Sequence, residues 1–302
     1  MLTRYVKKLE SPVTGETLKG FLIDCMKSAN FLNEDNTPKI SIWGVTDQGA
    51  NIICALRALK EEGIIDGFHN CFNHKIQLVI KDGIKTTPGM EVSVKKFQDN
   101  AAIYSRSRKE RKSLRDECKK NKVSCIIPLR PNGTRWFGQK IMMDGFLKRE
   151  REFKWHNLES ERMHALTSID WKNAKGFSEV LQPFLVASKI EEGEKYLTLS
   201  SVIPVLHVLS QKTTSYFKNK DNNGYGIVFA KNILASLEDR FGKFPDFMLL
   251  KPHCYATFSD PRFKHVFFSR KPNMEKRQKH SHFVGQVGDG KERGSEFEFT
   301  LL

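Results

Sequence analysis

A chain of 302 residues and 34.8 kDa, with a formal charge of +15 and a sequence pI near 9.5, is long enough to bury a sizeable core without disulfide or metal staples. The excess of cations favours a polyanionic partner, nucleic acid first, and no run of about 18 apolar residues is present to span a membrane. Six dispersed cysteines with no CxxC pair, and no apolar leader, point to a reduced intracellular compartment.

In chain order, SPVTGETLKGFLIDCM predicts a helix entered through a Ser or Thr cap. Residues 39–46, KISIWGVT, are β-rich and mostly apolar, as in a strand buried on both faces, and Asp47 falls at its carboxyl end. Ile52, Ile53, Ala55, Leu56 and Leu59 then repeat at helical spacing up to Gly63, which is placed to stop the helix. IIDGFH supplies a second short strand, and CFNHKIQLVIKDG another helix. After about residue 85 the pattern is helical throughout, with helices expected near 89–105, 106–122, 134–154, 156–166, 171–192, 200–218 and 227–242. From Lys271 the sequence is rich in glycine and charge without a period, which predicts disorder. The expected organisation is therefore an α/β part over 1–85, a helical body over 86–270 and a tail over 271–302.

Several residues invite a chemical reading. Asp47 after a strand either caps the following helix and complements its dipole or ligates a metal ion. Cys71 and His74 form a CxxH pair that shares one helical face, with His69 just before it. A closed zinc site needs four ligands, and no second Cys or His pair at finger-like spacing follows, so packing is the preferred role and no metal is assigned. In NGTRWFG, Thr134 can cap a helix whose first turn holds Arg135, and Trp136 is a core anchor or a ligand contact. Residues 105–122, SRSRKERKSLRDECKKNK, hold nine Lys or Arg against three acidic residues. Arg106, Arg108, Lys109, Arg111, Lys112, Arg115, Lys119 and Lys120 are the candidate phosphate contacts, with a solvated helix face as the alternative. DPRFK, residues 260–264, marks a turn with no catalytic assignment.

Taken in order, VTDQGANI, HNCFNHKIQLVIKDG, NGTRWFG, YLTLSSVIPVL and CYATFSDPRFK resemble the hAT superfamily of DNA transposases, especially domesticated members with BED-type zinc fingers. The likeness covers roughly residues 10 to 268 and implies an incomplete ribonuclease-H-like core with a large all-helical insertion, an α/β-plus-α chain. It implies that Asp47 matches the second of three catalytic carboxylates, as a vestige. The first belongs to upstream strands and the third to sequence after the insertion, and neither is expected in this chain. Cys71 and His74 match the family's CxxH motif, and Arg135 with Trp136 match a pair that works near unpaired DNA. The implied protein is a nuclear DNA-binding derivative without transposase activity; an active fragment or a structural interaction module are the alternatives. No cofactor is expected, Mg2+ or Mn2+ entering only if an active form exists. DNA, and other transposase-like chains, are the implied partners, with no membrane and no small-molecule substrate.

Overall fold

The structure, a computed structural model, describes residues 13–47, 49–131, 136–192, 198–222, 224–242 and 251–263. The expected tail over 271–302, the Thr134–Arg135 pair and Lys264 lie outside the described residues. What is described divides into two compact units after His74. Helices dominate, and two parallel strands form the sheet among the described residues.

The first unit opens with α1 (Gly15–Ser28). Thr14 caps it as the sequence requires: its hydroxyl accepts from the Thr17 N–H, and the Thr17 hydroxyl accepts in turn from the Thr14 N–H. Strand β1 (Trp43–Thr46), helix α2 (Ala50–Glu61) and strand β2 (Gly67–Asn70) follow as a β-α-β unit, with Trp43 opposite Gly67 and Thr46 opposite Asn70. Gly63, at φ 72°, takes the left-handed conformation that ends α2. Leu22 and Met26 of α1 meet Ala55, Leu56 and Leu59 of α2, and Ile42, Ile64 and Ile65 from the strand approaches complete this small core.

The strand expected over 39–46 is half that length. Its partner β2 offers four residues, and a strand extends only where a neighbour pairs with it. Upstream of Trp43 the backbone is pinned from elsewhere: the Asp66 carboxylate accepts from the Ile42 N–H at 2.8 Å and the Ser41 hydroxyl at 2.9 Å.

The second unit is helical: the body of α3 (Phe72–Thr86), then α4 (Met90–Arg106), α5 (Arg108–Lys120), α6 (Trp136–Leu147), α7 (Glu150–Glu159), α8 (Ser168–Glu191), α9 (Val202–Lys218), α10 (Gly224–Phe241) and α11 (Lys251–Ser259). Its aromatic core gathers Phe97 and Tyr104 of α4, Phe146 of α6, Phe153 of α7 and Trp171 of α8 in mostly edge-on contacts. Beneath α5 a buried polar chain runs from the Tyr104 hydroxyl to His156 Nδ1 at 2.9 Å and from His156 Nε2 to Glu110 at 3.3 Å, with the Ser160 hydroxyl donating to the same carboxylate. Burial holds the His156 imidazole below its usual pKa, against the pull of Glu110.

The helices expected over 134–154 and 156–166 are cut differently. The chain leaves the helix at Arg149 (φ −133°, ψ 37°), whose guanidinium donates to the Ser124 carbonyl and hydroxyl, each at 2.7 Å. The turn brings the rings of Phe146 and Phe153 to 4.6 Å, whereas seven residues of straight helix advance about 10.5 Å. Residues 160–166 are not helical. Asn100 holds the His164 N–H and carbonyl at 2.8 and 3.0 Å, and Asn157 donates to that carbonyl and accepts from the Leu166 N–H. These amides supply the partners that helical backbone would have provided.

Near the end of α8, Glu191 accepts from the Ser201 hydroxyl at 2.6 Å, and burial pushes its carboxyl up to about 7 despite that bond. A folded pKa above the unfolded 4.5 means a contribution to stability that is complete below 4.5 and lost as pH rises through about 7. Glu191→Gln should therefore match the parent at pH 4 and gain about 2 kcal/mol at pH 8, after a discount for residual solvent. Thermal melts at the two pH values check it, and equal shifts at both would show that charge is not the cause.

Candidate nucleic-acid interface

Two surfaces, one in each unit, carry the residues singled out in the sequence. In the first unit, the carboxyl edge of the sheet is where parallel α/β folds place ligands. Asp47 leaves β1 there, and Cys71 leaves β2 beside it, its N–H donating to the Thr46 carbonyl at 2.6 Å. Asp47 is exposed, and its carboxylate accepts from the Gly49 N–H at 3.1 Å. Gly49 is the N-cap of α2 and no side chain caps that helix, so Asp47 shapes the turn into the helix rather than capping it. Cys71 and His74 are half-buried around the first turn of α3, and His69 is buried in β2 with Nδ1 3.4 Å from the Asn70 carbonyl.

Among the described residues no three His, Cys, Asp or Glu side chains are grouped to hold a metal. Two-metal phosphoryl transfer needs carboxylates shared between the ions. Among the described residues no such set of carboxylates surrounds Asp47.

In the second unit, α5 is amphipathic in charge. Glu110, Leu114 and Cys118, at spacing four, face inward. Outward, Arg108, Lys112, Arg115 and Lys119 recur at spacings of four, three and four, so they line one stripe about 16 Å long. All four are exposed, as are Arg106, Lys109 and Lys120. Arg111 is the exception. Its guanidinium is half-buried and donates to the carbonyls of Tyr104 and Ser105 at 2.9 and 2.7 Å, closing the end of α4. Asp116 is the exposed carboxylate within this stretch, and Glu117 lies 3.6 Å from Lys120.

Trp136 opens α6 with 5% of its surface exposed, its ring 5.1 Å from that of Phe137. In this position it packs. The half-buried indole beside the cations is Trp155 of α7, with Lys120 Nζ 5.2 Å from its centroid. The sequence reading put Trp155 at the boundary between helices over 134–154 and 156–166 and gave it no role; the signal was an aromatic set among the charges of KREREFKWHN.

The SSVIP and SDPRF segments come together. Asp260 accepts from the Ser200 hydroxyl and from Arg262, both at 2.6 Å, while Thr257 donates to the Ser200 carbonyl at 2.9 Å. The Arg262 guanidinium holds the Asp260 carboxyl well below the usual range. This is a clasp between α11 and the 3-10 turn Leu199–Ser201.

No family model matches the chain. The human Zinc finger BED domain-containing protein 4 is 22% identical over 262 residues, which cover 85% of this chain and 22% of that protein. The chain thus spans about a fifth of that relative's length. No helix among the described residues is long and apolar enough to cross a membrane.

Proposed function

We propose that this chain derives from a hAT-type transposase and acts in the nucleus by binding the phosphate backbone of DNA, without phosphoryl transfer of its own. The observation that carries the reading is the outward stripe of α5, where Arg108, Lys112, Arg115 and Lys119 stand free of the core. Arginine and lysine spaced along one helix face neutralise successive phosphates and release their counterions. The likeness to a BED zinc finger protein supports a transposase-derived origin, and the β-α-β unit supports an incomplete ribonuclease-H-like core. That Asp47 belongs to no group of three acidic, His or Cys side chains among the described residues supports a binding role over a catalytic one.

The test is a salt titration of fluorescence anisotropy on a labelled duplex. The log–log slope should be steep, losing about 0.9 for each phosphate contact removed. Replacing Arg108, Lys109, Lys112 and Arg115 together by Gln should flatten it by several contacts. Arg111 is left in place because its bonds to Tyr104 and Ser105 hold α4 against α5. An unchanged slope in a variant that folds like the parent would make the stripe a solvated face and end this reading.

A further inference from the structure

We infer that Trp155, at the end of the α5 stripe, is a stacking platform for an unpaired nucleobase, so that single-stranded or locally unpaired DNA is the preferred ligand. This rests on nucleic-acid binding by α5 and names the form of the ligand. Lys119 is the last cation of the stripe, and Lys120 beside it lies over the Trp155 ring at 5.2 Å. On α7, Arg151 stands four residues before Trp155 and Leu158 three residues after, so all three share a face. Arg151 is exposed, and Leu158 is 86% exposed, an apolar side chain left in water on a surface otherwise rich in charge. The carboxylates on this patch are the exposed Asp116, four residues before Lys120, Glu117, beside Lys120, and the exposed Glu159. Arg115, Lys119, Lys120 and Arg151 outnumber them.

This arrangement suits a base better than a paired groove. The face of a base is apolar and polarisable and stacks on an indole, while its phosphate needs a cation one nucleotide away. Lys120 can leave the ring for that phosphate as the base takes its place, exchanging a cation–π contact for a stack. Duplex DNA keeps its bases stacked on one another and offers nothing to Trp155. A strand laid along Arg108, Lys112, Arg115 and Lys119 arrives at the indole with its last base free.

The experiment compares a labelled thymidine 20-mer with a duplex of equal length, using the full chain, Trp155→Leu and Trp155→Phe. Circular dichroism melts first establish that each variant is folded. The parent is expected to favour the single strand and to show quenching of tryptophan emission on binding it. Trp155→Leu should weaken the single strand roughly tenfold to a hundredfold, lose part of the quenching, and leave duplex affinity and salt slope unchanged. Trp155→Phe should keep most of the affinity. If Trp155→Leu binds the thymidine 20-mer as tightly as the parent, with the same quenching, the platform is refuted and the patch belongs to a protein contact or to packing. That outcome leaves the α5 reading intact, since the steep salt slope persists; a parent that binds neither DNA overturns both.

Discussion

Asp170→Ala should destabilise the helical unit by about 3–5 kcal/mol, the range for breaking a buried charge pair from one side. Asp170 is 3% exposed and serves two structures at once. Locally it completes the capping box of α8, accepting from the Thr167 N–H and hydroxyl, each at 2.8 Å. Across the unit it accepts from Ser93 at 2.7 Å and from Lys96 at 2.9 Å, both on α4, while Asn173 donates onward to the Ser93 hydroxyl. Truncation keeps the Thr167 cap but removes the half of the capping box that holds the Thr167 N–H, and it leaves the Ser93 hydroxyl without its acceptor. Lys96 regains water because its side chain is 31% exposed, which moves the expected loss toward the lower end.

The pH dependence separates charge from shape. Burial alone would raise the Asp170 pKa, but the bonds from Lys96, Thr167 and Ser93 outweigh it and hold the folded value below 3.8. A depressed folded pKa gives stability that is present above 3.8 and disappears as pH falls through the folded value. Asp170→Asn, which keeps the shape and one acceptor, should therefore trail the parent at pH 7 and approach it below pH 3. Urea unfolding followed by helix circular dichroism measures the gap. A constant gap from pH 7 to pH 3 would mean that neutral hydrogen bonding carries the whole effect.

Legibility in the sequence followed the range of the forces involved. The cap of α1 at Thr14, the face of α2 from Ala55 to Leu59 and its stop at Gly63 were readable because each depends on neighbours within a turn. The order strand, helix, strand was readable for the same reason. The length of β1 was not, since it is set by the four residues that β2 offers. A break was expected after residue 154, but its true place between α6 and α7 was hidden because it depends on Arg149 reaching Ser124, 25 positions away. The helix expected over 171–192 was legible despite Pro183, because its apolar period runs on past the proline, and Phe177, Val180, Leu181, Phe184 and Ala187 are buried along α8 up to Glu191.

At the candidate site the basic composition of α5 was plain, but not which cations are free. Arg111 looks like its neighbours until the carbonyls of Tyr104 and Ser105 claim it. The same holds for the two tryptophans: Trp136 carries the family-like motif and is buried, whereas Trp155 carries no motif and is partly open beside Lys120. Motif and exposure are independent variables, and a ligand meets only the second.

Gly176→Ala should lose about 1–2 kcal/mol net, an overpacking cost of about 3 kcal/mol at the upper end of the usual range offset by the up to about 1 kcal/mol that alanine is worth over glycine in a helix interior. Gly176 of α8 faces Gly226 of α10, and a Cβ built at 176 would lie 2.5 Å from the Gly226 Cα and 2.7 Å from its nitrogen. These atoms are backbone and cannot rotate away, so the methyl group must push the two helices apart. Separation is resisted on both sides: Phe177 and Phe229 stack at 5.7 Å across the same junction, and Tyr216 of α9 packs on Gly226 while donating to Glu179 of α8 at 2.6 Å. Gly20→Ala supplies the control of opposite sign. Gly20 lies in the middle of α1, exposed, with open space where a Cβ would go, so the same substitution should stabilise the first unit by about 0.5–1 kcal/mol. Denaturant midpoints for the two variants should move in opposite directions from the parent. If Gly176→Ala instead holds or raises the midpoint, the close approach of α8 and α10 is not what sets the packing of the helical unit.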